Sequence, residues 1–314
     1  MEGTGVEAPK SEMLVLAAGV FQKQALKLKE ALHRVLRQPD EEAVHDVRVA
    51  CRRLNVALAA TETMFRKPVV KGTRERVKTL LRFLGELRDA EVQSERVRKL
   101  ANQRNTQGLL RLAECMEAHT ELLRLRMLAE IERGAFETLP RLIEVLPLPA
   151  VLRRRGSDLN TLSAAQAAQR VLLERMIEIS KFDYLDHTGP SEKLHELRIA
   201  FKRLRYSADF FASALDTKLD HVLEISKEFQ EVLGQLHDAD VTETMLAPML
   251  RREDGADHGV LYSGVREAIA AARVEQEKLR EEFGALRQSE KLAVVRSEID
   301  NLVPRVATPG LSVP

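Results

Sequence analysis

Apolar residues recur at the 3.6-residue spacing of a helix over residues 12–37 and again over 161–180. Pro39 and Pro190 then interrupt the pattern. Asp40 and Ser191 stand where N-caps are needed for the helices that follow, over about 41–65 and 192–215. A third amphipathic run covers about 70–104 and 217–247, and a fourth about 107–134 and 257–289. Four long helices with short connections predict an up-and-down bundle in each half. Pro140, Pro147, Pro149 and Gly156 mark the join. The division expected is a disordered tail over 1–10, a first four-helix unit over 11–135, a linker over 136–160, a second unit over 161–290 and an extension over 291–314.

The two halves share more than periodicity. His45-Asp46-Val47-Arg48-Val49-Ala50-Cys51-Arg52-Arg53-Leu54 returns 150 residues later as His195-Glu196-Leu197-Arg198-Ile199-Ala200-Phe201-Lys202-Arg203-Leu204. Leu84-Gly85-Glu86-Leu87-Arg88-Asp89-Ala90-Glu91-Val92 returns 149 residues later as Leu233-Gly234-Gln235-Leu236-His237-Asp238-Ala239-Asp240-Val241. Two blocks in the same order at nearly one offset imply an internal duplication. The expected fold class is therefore all-α, two tandem four-helix bundles related by a pseudo-two-fold.

On a helical wheel, Val44, Val47, Cys51, Leu54 and Leu58 gather on one side, and His45, Arg48 and Arg52 on another with Arg53 at the flank. The second copy sets Leu194, Leu197, Phe201 and Leu204 against His195, Arg198, Lys202 and Arg203. The apolar stripe is core, Cys51 included. The polar stripe stacks a histidine and two cations along about two turns. On the third helix Lys71, Arg74, Lys78, Arg82 and Asp89 share a face with Gly85. From Lys71 to Arg82 it runs about 16 Å at 1.5 Å per residue. A plainer reading stands beside this one: charged helix faces are usually solvated, Asp89 and Asp238 hold a motif arginine in place, and Gly85 and Gly234 are close helix crossings.

Composition changes the picture in one respect. The formal charge of the chain is only +1, which would discourage a polyanion partner. Residues 1–155, however, hold 29 basic and 21 acidic side chains, a balance of +8, and residues 156–314 hold 20 and 27, a balance of −7. Arg outnumbers Lys by 34 to 15, and guanidinium forks suit bidentate binding of oxyanions. Gly (15) and Pro (11) are too few for a turn-dense β fold. Two distant cysteines, Cys51 and Cys115, form no disulfide framework. The longest apolar stretch, Met13 to Phe21, is too short to cross a bilayer. A cytoplasmic protein without a membrane partner is expected. With 4% aromatics and no Trp there is little to stack bases on, which disfavours nucleic acid.

His45-Asp46 and His237-Asp238 raise the alternative of a metal-dependent phosphohydrolase. Adjacent helical residues point about 100° apart, so a bare His-Asp pair is a weak signal. The sequence has no His-Glu-x-x-His, paired Cys-x-x-Cys or Gly-rich phosphate loop. No metal, cofactor or catalytic residue is expected, and His45 and His195 read as phosphate donors or as partners of neighbouring carboxylates.

At these residues the sequence resembles a known family. His-[Asp/Glu]-x-Arg-[Val/Ile]-Ala-x-[Arg/Lys]-Arg-Leu followed by Leu-Gly-x-Leu-x-Asp-Ala-[Asp/Glu]-Val is similar to the CHAD family, the conserved histidine α-helical domain. The second copy, running on through Arg205-Tyr206 to Phe210-Phe211, is the nearer match. The resemblance covers about residues 12–290 and implies paired four-helix bundles with a basic channel or cavity. It also implies binding of inorganic polyphosphate and, in bacteria, association with polyphosphate granules. By motif, His45, Arg48, Arg52, Arg53, His195, Arg198, Lys202, Arg203 and Arg205 would line the basic surface; Arg74, Lys78 and Arg82 join it from the stripe on the third helix. The function expected is non-catalytic polyphosphate binding, with the hydrolase and a scaffold for other polyanions as alternatives.

Overall fold

The computed structural model describes residues 12–37, 41–62, 67–134, 136–145, 162–215, 218–251 and 259–302. Ten α-helices and one 3-10 turn account for most of these residues, and no strand occurs among them. The first four are α1 (Glu12–Arg37), α2 (Glu41–Ala60), α3 (Lys67–Arg104) and α4 (Gln107–Glu132). After α5 (Leu139–Glu144) come α6 (Ala164–Ser180), α7 (Ser191–Leu215) and α8 (Asp220–Leu246). The 3-10 turn Ala247–Arg251 leads to α9 (Gly259–Gln288), and α10 (Lys291–Asp300) follows. The expected bounds hold to within a few residues, apart from two added short helices.

α1 shows how the pattern becomes packing. Met13, Ala17, Phe21, Ala25, Leu28, Leu32 and Val35 recur at intervals of three or four and are all buried. Each large side chain removed from water in this way is worth about 2 kcal/mol. The main core runs without a break from α1 through α8 and takes in α5 and α10, with Phe201 of α7 stacked on Phe229 of α8 at 4.2 Å. A second, smaller cluster joins the end of α3 to α4 and α9 through Val97, Leu109, Leu112, Val265 and Ile269.

Consecutive helices pack on one another in both halves, and the halves meet where α2 lies on α7 and α4 on α9. The second seam depends on two glycines. A Cβ on Gly264 would fall 2.1 Å from the Gly108 carbonyl oxygen, and one on Gly108 would fall 2.5 Å from the Gly264 nitrogen. Backbone therefore meets backbone there, and no side chain fits between. The helix crossings expected at Gly85 and Gly234 lie elsewhere: what those glycines face is the side chain of Arg48 and of Arg198.

Local sequence ends the helices where it should. Asn105 closes α3 at φ 50°, a left-handed position that Asn tolerates, with its N–H on the Ala101 carbonyl. Thr106 then caps α4, and Ser163 with Gln166 forms a capping box on α6. α8 borrows its cap from far along the chain. The Glu298 carboxylate of α10 accepts from the backbone N–H of His221 and of Val222. Ser191 does not cap α7 as expected. It is the first helical residue, and its hydroxyl accepts from Arg280 and bonds the Asp240 carboxyl. Asp40, the 1–10 tail, most of the expected linker and half of the terminal extension lie outside the described residues. The described part of the linker holds α5, whose Leu139 and Ile143 are buried, and that of the extension holds α10.

Candidate functional site

α2 and α7, the two motif helices, lie against each other, so their polar stripes converge. The apolar stripe of α2 is buried throughout, from Val44 to Leu58, which fixes the rotation of the helix and turns Arg48 and Arg52 towards α7. Leu194, Leu197, Phe201 and Leu204 do the same for Arg198 and Lys202. Four cations thus share one seam, each placed one turn from its neighbour on the same helix.

Arg48 is the most enclosed, at 8% exposure, and donates to the Leu84 carbonyl of α3 at 2.7 Å. Gly85 leaves room for its guanidinium, with a notional Cβ 3.8 Å away. Arg52 reaches across the seam to the Tyr206 hydroxyl at 3.3 Å. Among the described residues, neither the Arg198 guanidinium nor the Lys202 ammonium has a hydrogen-bond or ion-pair partner.

The electrostatics reflect this crowding. Burial and then the charge of Arg52 lower Arg48 to about 10. Burial, followed by Arg198, Arg52 and Arg48, lowers Lys202 to about 7. Arg198 is lowered too, by burial first, with Asp238 opposing. Asp89 and Asp238 are carboxylates these cations feel, with Glu91 acting on Arg48 as well, and Asp238 is itself raised by burial. Asp238 is anchored by its backbone, whose carbonyl accepts from Gln93 Nε2 of α3 at 3.0 Å. Glu91 is already paired with Arg88 and Arg124, so Asp89 and Asp238 face the four cations and leave the seam with unmet positive charge.

The histidines separate. His195 turns to another histidine instead of a carboxylate: its Nδ1 lies 3.1 Å from Nδ1 of His237 on α8, with the rings 4.2 Å apart. Burial first, and then nearby cations, holds both below the usual histidine value, His237 at about 4. His237, which the sequence offered only as half of a His-Asp pair, and Tyr206 join the site without having been expected among the polyphosphate-binding residues. His237 occupies the block position that Arg88 holds in the first half, and Tyr206 follows the second motif. His45 is exposed on α2.

The remaining cations have partners of their own. Arg53 pairs with Asp209 of α7 at 3.1 Å and lines a separate cavity of about 160 Å³ with Lys23, Gln24 and Tyr206. Arg74 bonds Asn55 and Glu62, Lys78 pairs with Glu75, and Arg82 donates to Thr79. Arg203 is exposed beside Glu178, and Arg205 donates to Gln230. Among the described residues no three His, Cys, Asp or Glu side chains converge as metal ligands, and no helix is long and apolar enough to cross a membrane. Cys51 is buried beside Arg48, its thiol pushed up to about 12 by burial.

Comparison with known proteins agrees with this architecture. PptA from Streptomyces chartreusis is similar in structure with a TM-score of 0.66 and 18% identity, over 90% of this chain and 100% of that one. The crystal structure of the CHAD domain from the plant Ricinus communis is similar with a TM-score of 0.64 and 19% identity, over 94% and 93%. No curated protein matches the sequence. The CHAD domain matches residues 19–247, well over half of the sequence whose motif helices form the seam, and the chain belongs to that family.

Proposed function

We propose that this protein binds inorganic polyphosphate at the α2–α7 seam and does not hydrolyse it. The observation that carries the reading is the pair of unpartnered cations, Arg198 and Lys202, in a cluster with Arg48 and Arg52. Cations withdrawn from water and short of counter-charge bind an anion more tightly than solvated ones do. Their arrangement, one per turn on each of two packed helices, offers successive charges to a thin linear anion. A duplex presents its phosphates on a wide convex surface, which half-buried side chains at a helix seam meet less well. Association of CHAD domains with polyphosphate supports the same ligand.

Titration with long-chain polyphosphate at low salt tests the reading, with duplex DNA as competitor. Binding that survives DNA but is lost in Arg48→Ala/Arg198→Ala is the expected result; unchanged binding in that variant would sink it. Phosphate release that requires a divalent metal and disappears in His45→Ala would favour the hydrolase instead.

A further inference from the structure

We infer that Lys202 works as a proton-loaded ligand, taking up a proton when a polyanion occupies the α2–α7 seam and giving it back when the polyanion leaves. This rests on the polyphosphate reading above and adds to it a control of that site by pH.

α2 and α8 pack on α7 around Lys202, and Asp89 of α3 acts on the neighbouring Arg48 and Arg198. From the lysine's own helix come Arg198 and, one turn further back, His195; from α2 come Arg48 and Arg52; from α8 come Asp238 and His237. Of these groups from α2, α7 and α8, Asp238 is the one carboxylate, and it is shared with Arg198. The guanidiniums stay charged throughout the neutral range, so the site can relieve repulsion only at the amine. Lys202 has no hydrogen-bond or ion-pair partner among the described residues to hold its proton. Burial, followed by the charges of Arg198, Arg52 and Arg48, lowers the group to about 7.

A bound phosphate chain reverses the balance. Its fixed negative charges offset Arg48, Arg52 and Arg198, and the ammonium becomes the favoured form again. The change is a single protonation: one proton moves from solvent to the Lys202 Nζ lone pair, with no other bond made or broken. By linkage, affinity then falls as pH rises above about 7, by up to tenfold per unit. Internal phosphates of a long chain keep their charge over this range, so the slope belongs to the protein.

Calorimetric titration of the full chain with long-chain polyphosphate at pH 8, in buffers with different heats of ionisation, counts the protons directly. The expected result is uptake of a substantial fraction of one proton per site, with affinity decreasing between pH 7 and 9. Lys202→Arg should bind at pH 9 at least as well as wild type, with the uptake and the slope gone. Flat affinity with no proton uptake in wild type overturns the coupling while leaving the ligand assignment intact. So does a Lys202→Arg variant that keeps the wild-type slope. Absence of binding at pH 6.5 and low salt takes down the polyphosphate reading and the coupling with it, and is thus a distinct result.

Discussion

Arg48 and Arg198 occupy the same place in the repeated motif but meet different surroundings. Arg48 spends one donor on the Leu84 carbonyl, whereas Arg198 has no such partner among the described residues. The larger binding loss is therefore expected from Arg198. A charge-assisted contact is worth about 1.5–3 kcal/mol, so Arg198→Ala should weaken polyphosphate binding by roughly 10- to 100-fold. Arg203→Ala, which removes an exposed cation beside Glu178, should change it less than about twofold in the same titration. His237 carries a separate expectation for stability. Its folded value of about 4 lies below the ordinary 6.5, so between these limits the unfolded chain binds more protons. Stability should fall as pH drops through that window. Melting curves between pH 7 and 4.5 should show a smaller loss in His237→Gln than in wild type.

At the scale of helices, the glycines and the caps are where single changes act most strongly. Gly264→Ala places a methyl group onto the Gly108 backbone, which cannot move without separating α4 from α9. A loss of more than about 2 kcal/mol in denaturant unfolding is expected. Gly85→Ala is the contrast, since its methyl meets Arg48 at an ordinary 3.8 Å and alanine favours the helix, so stability should hold or rise. Glu298→Ala removes the carboxylate from the start of α8 and should cost about 1 kcal/mol by the same measurement. The long helices were legible because each buries one continuous stripe, as α1 does from Met13 to Val35. α5 was not, since Pro140 and the later prolines read as a break, whereas Leu139 and Ile143 are buried in a short helix that begins at Leu139.

For the molecule as a whole, the sequence showed which residues share a helix face better than it showed which helices meet. The stripes that carry Arg48, Arg52, Arg198 and Lys202 follow from 3.6-residue periodicity alone. That α2 lies on α7, bringing Arg52 to Tyr206 across 154 residues, depends on packing that no local spacing encodes. The third-helix stripe of Arg74, Lys78 and Arg82 looked equal to the motif cations on the wheel, yet each of its members already has a local partner. A seam of about four cations predicts a modest salt dependence. The plot of log affinity against log salt should have a slope near −3, on the single-strand scale of about −0.7 per neutralised phosphate. A slope several units steeper would show that Arg74, Lys78 and Arg82 bind as well.

The carboxylate that seals α8 also imposes a timetable. Val222 and Glu298 are 76 residues apart, so a chain made from its N-terminus exposes the start of α8 until α10 has been synthesised. At ordinary ribosomal speeds that interval is on the order of 4–15 s. α8 carries His237 and Asp238, so for that interval the helix that brings them to the α2–α7 seam stands without its N-terminal cap.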